Sequence, residues 1–114
     1  MPAPDALIRL IAFEVGRIPD PTRREALRGL LIEPLLQHRG AEFGDSGARY
    51  PTWLIGRGEQ ASIGLAYSEF GYGPETPWGY VSISHLSLGT EAQWFSHLDD
   101  AFIASGLAGT AKPG

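Results

Sequence analysis

The sequence predicts one two-layer α+β domain in which two helices, three antiparallel strands and a last helix follow in order (ααβββα). Three observations support this. Apolar residues recur at the helical period over the first forty residues, alternate with a period of two over 52–84, and return to the helical period near the end. At 114 residues, 43% hydrophobic and 19% charged, the chain fits one folded domain, 1–114.

Two helices are expected at the start of the chain. The first is predicted over Asp5 to Val15, before Gly16 and Pro19. The second begins at Asp20-Pro21, where an aspartate can cap the free N–H groups and a proline suits the first helical position. Its apolar stripe extends to Leu35, and Gly40 closes it. Pro34, which has no N–H to donate, should kink this helix or end it early.

Three strands and a final helix are expected after a loop at 41–49. The strands are predicted at 52–56, 61–70 and 78–84, with a hairpin turn at 57–60 and a Gly/Pro loop before the third. Thr90 and Gln93 have the spacing of a capping box, which indicates a helix from Glu91 to Ser105. Residues 105–114 are expected to form a flexible tail.

Composition excludes several classes of function. The absence of cysteine excludes a disulfide framework, a thiolate nucleophile and a sulfur-based zinc site. The net charge of −4 argues against a nucleic-acid partner. No apolar run is long enough for a membrane span, and the N-terminus lacks the basic start of a signal peptide, so a cytoplasmic protein is expected. No motif indicates a cofactor or a metal, and none is expected.

Few residues form a recognisable catalytic pattern. His97 and Asp100 are three residues apart on the predicted last helix, which would place them on one face. Ser84 and His85 are adjacent in a predicted strand, so their side chains should point to opposite faces and cannot share a proton. The glycine pairs lack the strand-to-helix context of a phosphate-binding loop. No catalytic residue is therefore assigned.

An aromatic and acidic segment stands out between the second and third predicted strands. Five of the twelve aromatic residues lie within fourteen positions: Tyr67, Phe70, Tyr72, Trp78 and Tyr80. Two acids, Glu69 and Glu75, lie among them. Residues 1–40 carry a net charge of +1 and residues 41–114 a net charge of −5, so this segment belongs to the acidic part of the chain. Rigid aromatic side chains beside acidic groups suit recognition of a basic partner.

Three segments carry a resemblance: Arg49-Tyr50-Pro51-Thr52-Trp53, Phe70-Gly71-Tyr72-Gly73-Pro74 with Pro77-Trp78-Gly79, and Gln93-Trp94-Phe95 continuing to Ala101-Phe102. Over about residues 25–105 the chain resembles small uncharacterised bacterial proteins of similar length. In size, acidity and α+β build it also resembles small toxin-immunity proteins more loosely. No activity, cofactor or residue role follows from either resemblance.

The sequence therefore predicts a non-enzymatic protein-interaction domain, of the kind formed by immunity or inhibitor proteins. Its contact residues for a protein partner are Glu69, Tyr72, Glu75 and Trp78. The alternative is a small enzyme or small-molecule binder with a pocket between sheet and helices, using His97, Asp100 or Glu69. A homodimer through an exposed strand edge or sheet face is a third hypothesis.

Overall fold

A computed structural model describes residues 4–40, 49–58 and 62–110 of the chain. Four segments are helical: α1 (Pro4–Gly16), α2 (Pro21–Leu30), α3 (Leu98–Ala104) and the single turn α4 (Leu107–Thr110). Five are strands: β1 (Leu31–Gly40), β2 (Arg49–Arg57), β3 (Ile63–Tyr67), β4 (Trp78–Ser82) and β5 (Trp94–Phe95). A short 3-10 helix, Glu91–Gln93, precedes β5.

The strands form one antiparallel sheet in the order β1-β2-β3-β4-β5, so each strand pairs with the next along the chain. This confirms the α+β class and the consecutive pairing of the three predicted strands, which correspond to β2, β3 and β4. The bounds differ: β2 is longer than the predicted 52–56, and β3 and β4 are shorter than the predicted 61–70 and 78–84. The prediction of a three-stranded sheet, and with it the ααβββα layout, is wrong because the sheet gains a strand at each edge. The predicted loop at 41–49 and turn at 57–60 lie mostly outside the described residues.

The first additional strand replaces the second half of the predicted second helix. That helix begins as expected, with the Asp20 carboxylate accepting from the Thr22 N–H at 3.1 Å. It ends at Leu30, and the chain is extended from Leu31, three residues before Pro34. Leu31 and residues 35–40 pair with β2, and the register shifts between Leu31 and Leu35, around Pro34. The paired backbone groups find partners in the sheet that a helix interrupted by proline could not supply.

The second additional strand lies inside the predicted last helix. Residues 91–105 divide into the 3-10 helix, β5 and α3. Gly79 of β4 pairs with Trp94, and a Cβ atom at Gly79 would lie 2.5 Å from the Trp94 ring. The ring therefore occupies the space that the glycine leaves, and its Nε1 donates to the Leu88 oxygen at 2.8 Å. These contacts favour a strand at 94–95 over the helix that the local pattern predicts.

Both faces of the sheet carry apolar clusters. One cluster lies between the sheet and the helices; its sheet residues are Trp53, Ile55, Leu65, Tyr67 and Trp78, and its helical residues include Leu7, Ile11, Val15, Leu27, Leu98 and Phe102. On the other face a smaller cluster joins Leu54, Ala66, Val81, Leu88 and Trp94. Within the stretch predicted as a tail, Leu107 is 3% exposed and belongs to the first cluster.

Candidate functional site

The connection between β3 and β4, residues 68–77, carries most of the predicted contact residues and is called the acidic loop below. Its ends are joined by a hydrogen bond from the Ser68 N–H to the Pro77 oxygen at 2.8 Å. The Ser68 hydroxyl donates to the Pro51 oxygen of β2 at 2.9 Å. Within the loop, the Thr76 N–H donates to the oxygen of Gly73 at 3.3 Å. The loop is therefore a closed structure anchored to the sheet.

Glu69, at the start of the acidic loop, is half-buried and accepts a hydrogen bond from the Tyr67 hydroxyl at 2.7 Å. Burial, and then this carboxylate, raises the pKa of Tyr67 well above its usual range. Tyr67 therefore keeps its proton at neutral pH and orients the Glu69 carboxylate.

Tyr72 and Glu75 lie farther along the acidic loop. Tyr72 is half-buried; its hydroxyl donates to the Gly89 oxygen at 2.7 Å, and its ring lies 6.4 Å from that of Trp94. Glu75 is exposed. Phe70, which the prediction left out of the contact set, has 51% of its surface exposed. The loop thus presents one aromatic ring and carboxylates, with Tyr72 attaching it to the smaller apolar cluster.

Trp78, the fourth predicted contact residue, lies at the start of β4 and is 4% exposed. Its ring makes an edge-on contact with Tyr67 at a centroid distance of 4.7 Å. Trp78 is thus a core residue of the helix-facing cluster and leaves almost no surface for a partner. The structure brings Glu69, Tyr72 and Glu75 together on one loop and separates Trp78 from them by burial.

His97 and Asp100 do not form the pair that the helical spacing predicted. His97 caps α3 rather than lying within it, and its Nδ1 is 3.4 Å from Oε1 of Glu14 in α1. Glu14 is 8% exposed and also accepts from the Leu98 N–H at 3.0 Å. Asp100 is exposed. His97 is therefore paired with the Glu14 carboxylate, which connects α1 to the beginning of α3. This contact stabilises the packing of the two helices.

An apolar groove of about 590 Å³ lies between α1 and the start of β1. Its apolar lining comes from Ile8, Ile11, Ala12, Val15, Leu31 and Ile32. Arg28 and Glu33 supply the charged groups. None of the residues assigned to the alternative small-molecule site, His97, Asp100 or Glu69, lines this groove. Across the described residues, no group of three or more His, Cys, Asp or Glu side chains could hold a metal ion.

Arg39 is a buried polar residue that the sequence pattern did not single out. It is fully buried in β1, and burial lowers the pKa of Arg39 below its usual value. Its Nη1 donates to the backbone oxygens of Ser82, His85 and Ser87 at 3.0, 2.7 and 2.9 Å, and its Nε and Nη2 donate to the Gln37 side chain. Arg39 therefore holds the segment after β4 against β1. No local sequence signal marks it, because its three backbone acceptors are over forty residues away.

No protein-family model, no curated protein and no solved structure matches this chain. In addition, no helix in the described ranges has the length and apolar character needed to cross a membrane. A functional proposal for this chain consequently rests on its own residues and their geometry.

Proposed function

We propose that this chain is a non-enzymatic protein-interaction domain whose acidic loop binds a basic surface of a protein partner. One observation carries the proposal: the hydrogen-bonded loop exposes the ring of Phe70 on a segment that also carries Glu69 and Glu75. Trp78 is not part of this contact because it is buried. An immunity or inhibitor protein is the specific form of the proposal, and its target would be a basic toxin or enzyme in the cytoplasm.

The rigidity of the loop supports binding. Ordering a loop upon association costs free energy, roughly 0.5–1.5 kcal/mol for each immobilised side chain. Here the bonds from Ser68, Thr76 and Tyr72 are made within the free protein, so much of that cost is met before binding. The exposed aromatic ring supplies apolar contact area, and the carboxylates select a basic partner.

The partner can be captured by replacing Phe70 with a photo-crosslinking phenylalanine analogue in cells of the source organism. The matched control carries the same analogue at Ile103 of α3, which is 50% exposed. We expect a basic protein to be crosslinked from position 70 and not from position 103. Equal crosslinking from both positions, or capture of no protein from position 70, would contradict the proposal.

The captured partner is then purified and titrated with Phe70→Ala and Ile103→Ala. We expect the first substitution to weaken binding about tenfold or more, as for an aromatic contact that contributes over 1 kcal/mol. The control should leave the Kd unchanged. For an inhibitor, the activity of the partner should fall when the wild-type chain is added and recover with the Phe70 variant.

A further inference from the structure

Strand β1 is an edge of the sheet and pairs with β2 on one side. At its end, the Gly40 N–H donates to the Leu86 oxygen at 3.1 Å, and the Gly40 oxygen accepts from the Leu88 N–H at 2.9 Å. The N–H and oxygen of Gly40 therefore point away from β2. Because backbone groups alternate in direction along an antiparallel strand, those of His38 and Leu36 also lead away from β2. Within the described ranges, no backbone group of another segment bonds to them.

The same edge is apolar. Leu35 and Leu36 are 53% and 38% exposed and, as neighbours in a strand, point to opposite faces of the sheet. The groove between α1 and β1 adjoins the beginning of the strand. Leu86, held at the other end of the strand by Gly40, is 53% exposed. A long apolar edge with free backbone groups is a template for pairing with another strand.

Charge identifies a second copy as the occupant. The N-terminal forty residues, which form α1, α2 and β1, carry a net charge of +1, whereas the rest carries −5. Contact through β1 therefore brings together the nearly neutral parts of two copies. The groove contributes one charge of each sign, Arg28 and Glu33, which a two-fold interface can pair across its axis. The basic partner proposed for the acidic loop would find no excess of negative charge on this face.

We propose that two copies of this chain associate along β1 in antiparallel register centred on Leu36, forming a continuous ten-stranded sheet. In this register the Leu36 N–H donates to the oxygen of the partner's Leu36, and the His38 N–H donates to the oxygen of the partner's Pro34. Pro34 has no N–H, so it accepts without donating and ends the ladder there. Leu86 of each copy comes to lie beside residues 31–34 of the other, where the groove begins.

The oligomeric state tests this proposal directly. At roughly 100 µM, where an interface with a micromolar Kd is saturated, light scattering should give twice the mass of the 12.3 kDa chain. Leu36→Lys should give the monomer mass, because it places two ammonium groups at the centre of the interface. Ile103→Lys, at a 50% exposed site on α3, should remain dimeric. His38→Pro removes an outward N–H without removing a bond to β2, and it should also favour the monomer.

Hydrogen exchange followed by NMR identifies the surface that is buried. Protection of the Leu36 and His38 amides should increase at least tenfold with protein concentration, while the Gln37 amide, which points to β2, should be unaffected. A wild-type chain that stays monomeric at this concentration would overturn the proposal. A dimer for which Leu36→Lys and Ile103→Lys give the same mass would also overturn it. So would a dimer in which the exchange rates of the Leu36 and His38 amides do not change with protein concentration. Crosslinking from position 70 does not depend on this outcome, so the two proposals fail separately.

Discussion

Two buried polar side chains, Tyr67 and Arg39, hold the connections that follow β3 and β4. Tyr67 donates to Glu69 at the start of the acidic loop, and Arg39 donates to three backbone oxygens between Ser82 and Ser87. Each of these side chains buries its polar group and forms hydrogen bonds with atoms of an irregular segment. Burying a polar group with such a partner costs less free energy than burying it unpaired. At this scale, the loops are ordered by side chains that come from strands.

Alkaline pH should destabilise the protein through Tyr67. The folded-state pKa of Tyr67 is raised, so the folded chain retains a proton that the unfolded chain loses above about pH 10. The unfolding free energy should therefore fall as pH rises above this value, by up to about 1.4 kcal/mol per pH unit. Urea titrations at pH 8 and pH 11 should show this fall in the wild type.

Tyr67→Phe should remove this part of the pH dependence, because the phenylalanine has no proton to retain. Tyr80→Phe is the control and should leave the alkaline fall in place. If the wild type and Tyr67→Phe lost the same free energy between the two pH values, the Tyr67 hydroxyl would not be the source of the alkaline destabilisation.

At the scale of elements, the sheet has five strands because long-range pairing overcame local helical patterns at both ends. A leucine stripe extends into residues 31–40, as far as Leu35, and Thr90 and Gln93 have the spacing of a capping box at the start of residues 91–105; both patterns predict helix. The capping box is in fact present, since the Thr90 N–H donates to the Gln93 side chain at 2.9 Å, but it begins only a single 3-10 turn. The chain then extends because Trp94 fits over Gly79.

Gly79→Ala tests this explanation of β5. The added methyl group would meet the Trp94 ring at 2.5 Å and the Gln93 backbone oxygen at 2.8 Å, so the ring and β5 must move. We expect a loss of about 1–3 kcal/mol, as for other overpacked sites, and altered tryptophan fluorescence.

Gly16→Ala is the matched control, because no heavy atom beyond its chain neighbours and the backbone of α1 lies within 4 Å of the position a Cβ would take there. Its unfolding free energy in urea should remain within about 0.5 kcal/mol of the wild type. A Gly79→Ala protein as stable as this control would show that the close approach of Trp94 does not hold β5 in place.

At the scale of the whole molecule, the charge is divided unevenly along the chain. The residues that form α1, α2 and β1 are together nearly neutral, and the acidic loop belongs to residues 41–114, which carry a net charge of −5. A homodimer brings together two chains that each carry −4, whereas the proposed partner is basic. Salt screens both the repulsion between the two acidic chains and the attraction to the basic partner. Dimer and complex should therefore respond to salt in opposite directions.

Raising the NaCl concentration from roughly 50 to 300 mM should strengthen the dimer and weaken the complex with the partner, since the Debye length falls from over 10 Å to below 8 Å. Sedimentation equilibrium measures the first Kd and calorimetric titration the second. Glu75→Gln should reduce the salt dependence of the complex and leave that of the dimer unchanged. A complex whose Kd does not depend on salt would contradict the charge argument for the acidic loop.

Local signals in the sequence, namely periodicity, turn residues and an N-cap, are enough to define the α+β class, the three inner strands and the start of α2. The sequence also places Tyr72 and Glu75 on one loop and Glu69 close to them along the chain, although the pattern predicts Glu69 at the end of a strand that in fact ends at Tyr67. The folded structure is needed to see that Trp78 is buried, that His97 contacts Glu14 and that Arg39 is enclosed. It also decided that residues 31–40 and 94–95 are strands. In each case the deciding contact joins residues distant in sequence, where packing and backbone pairing outweigh local propensity.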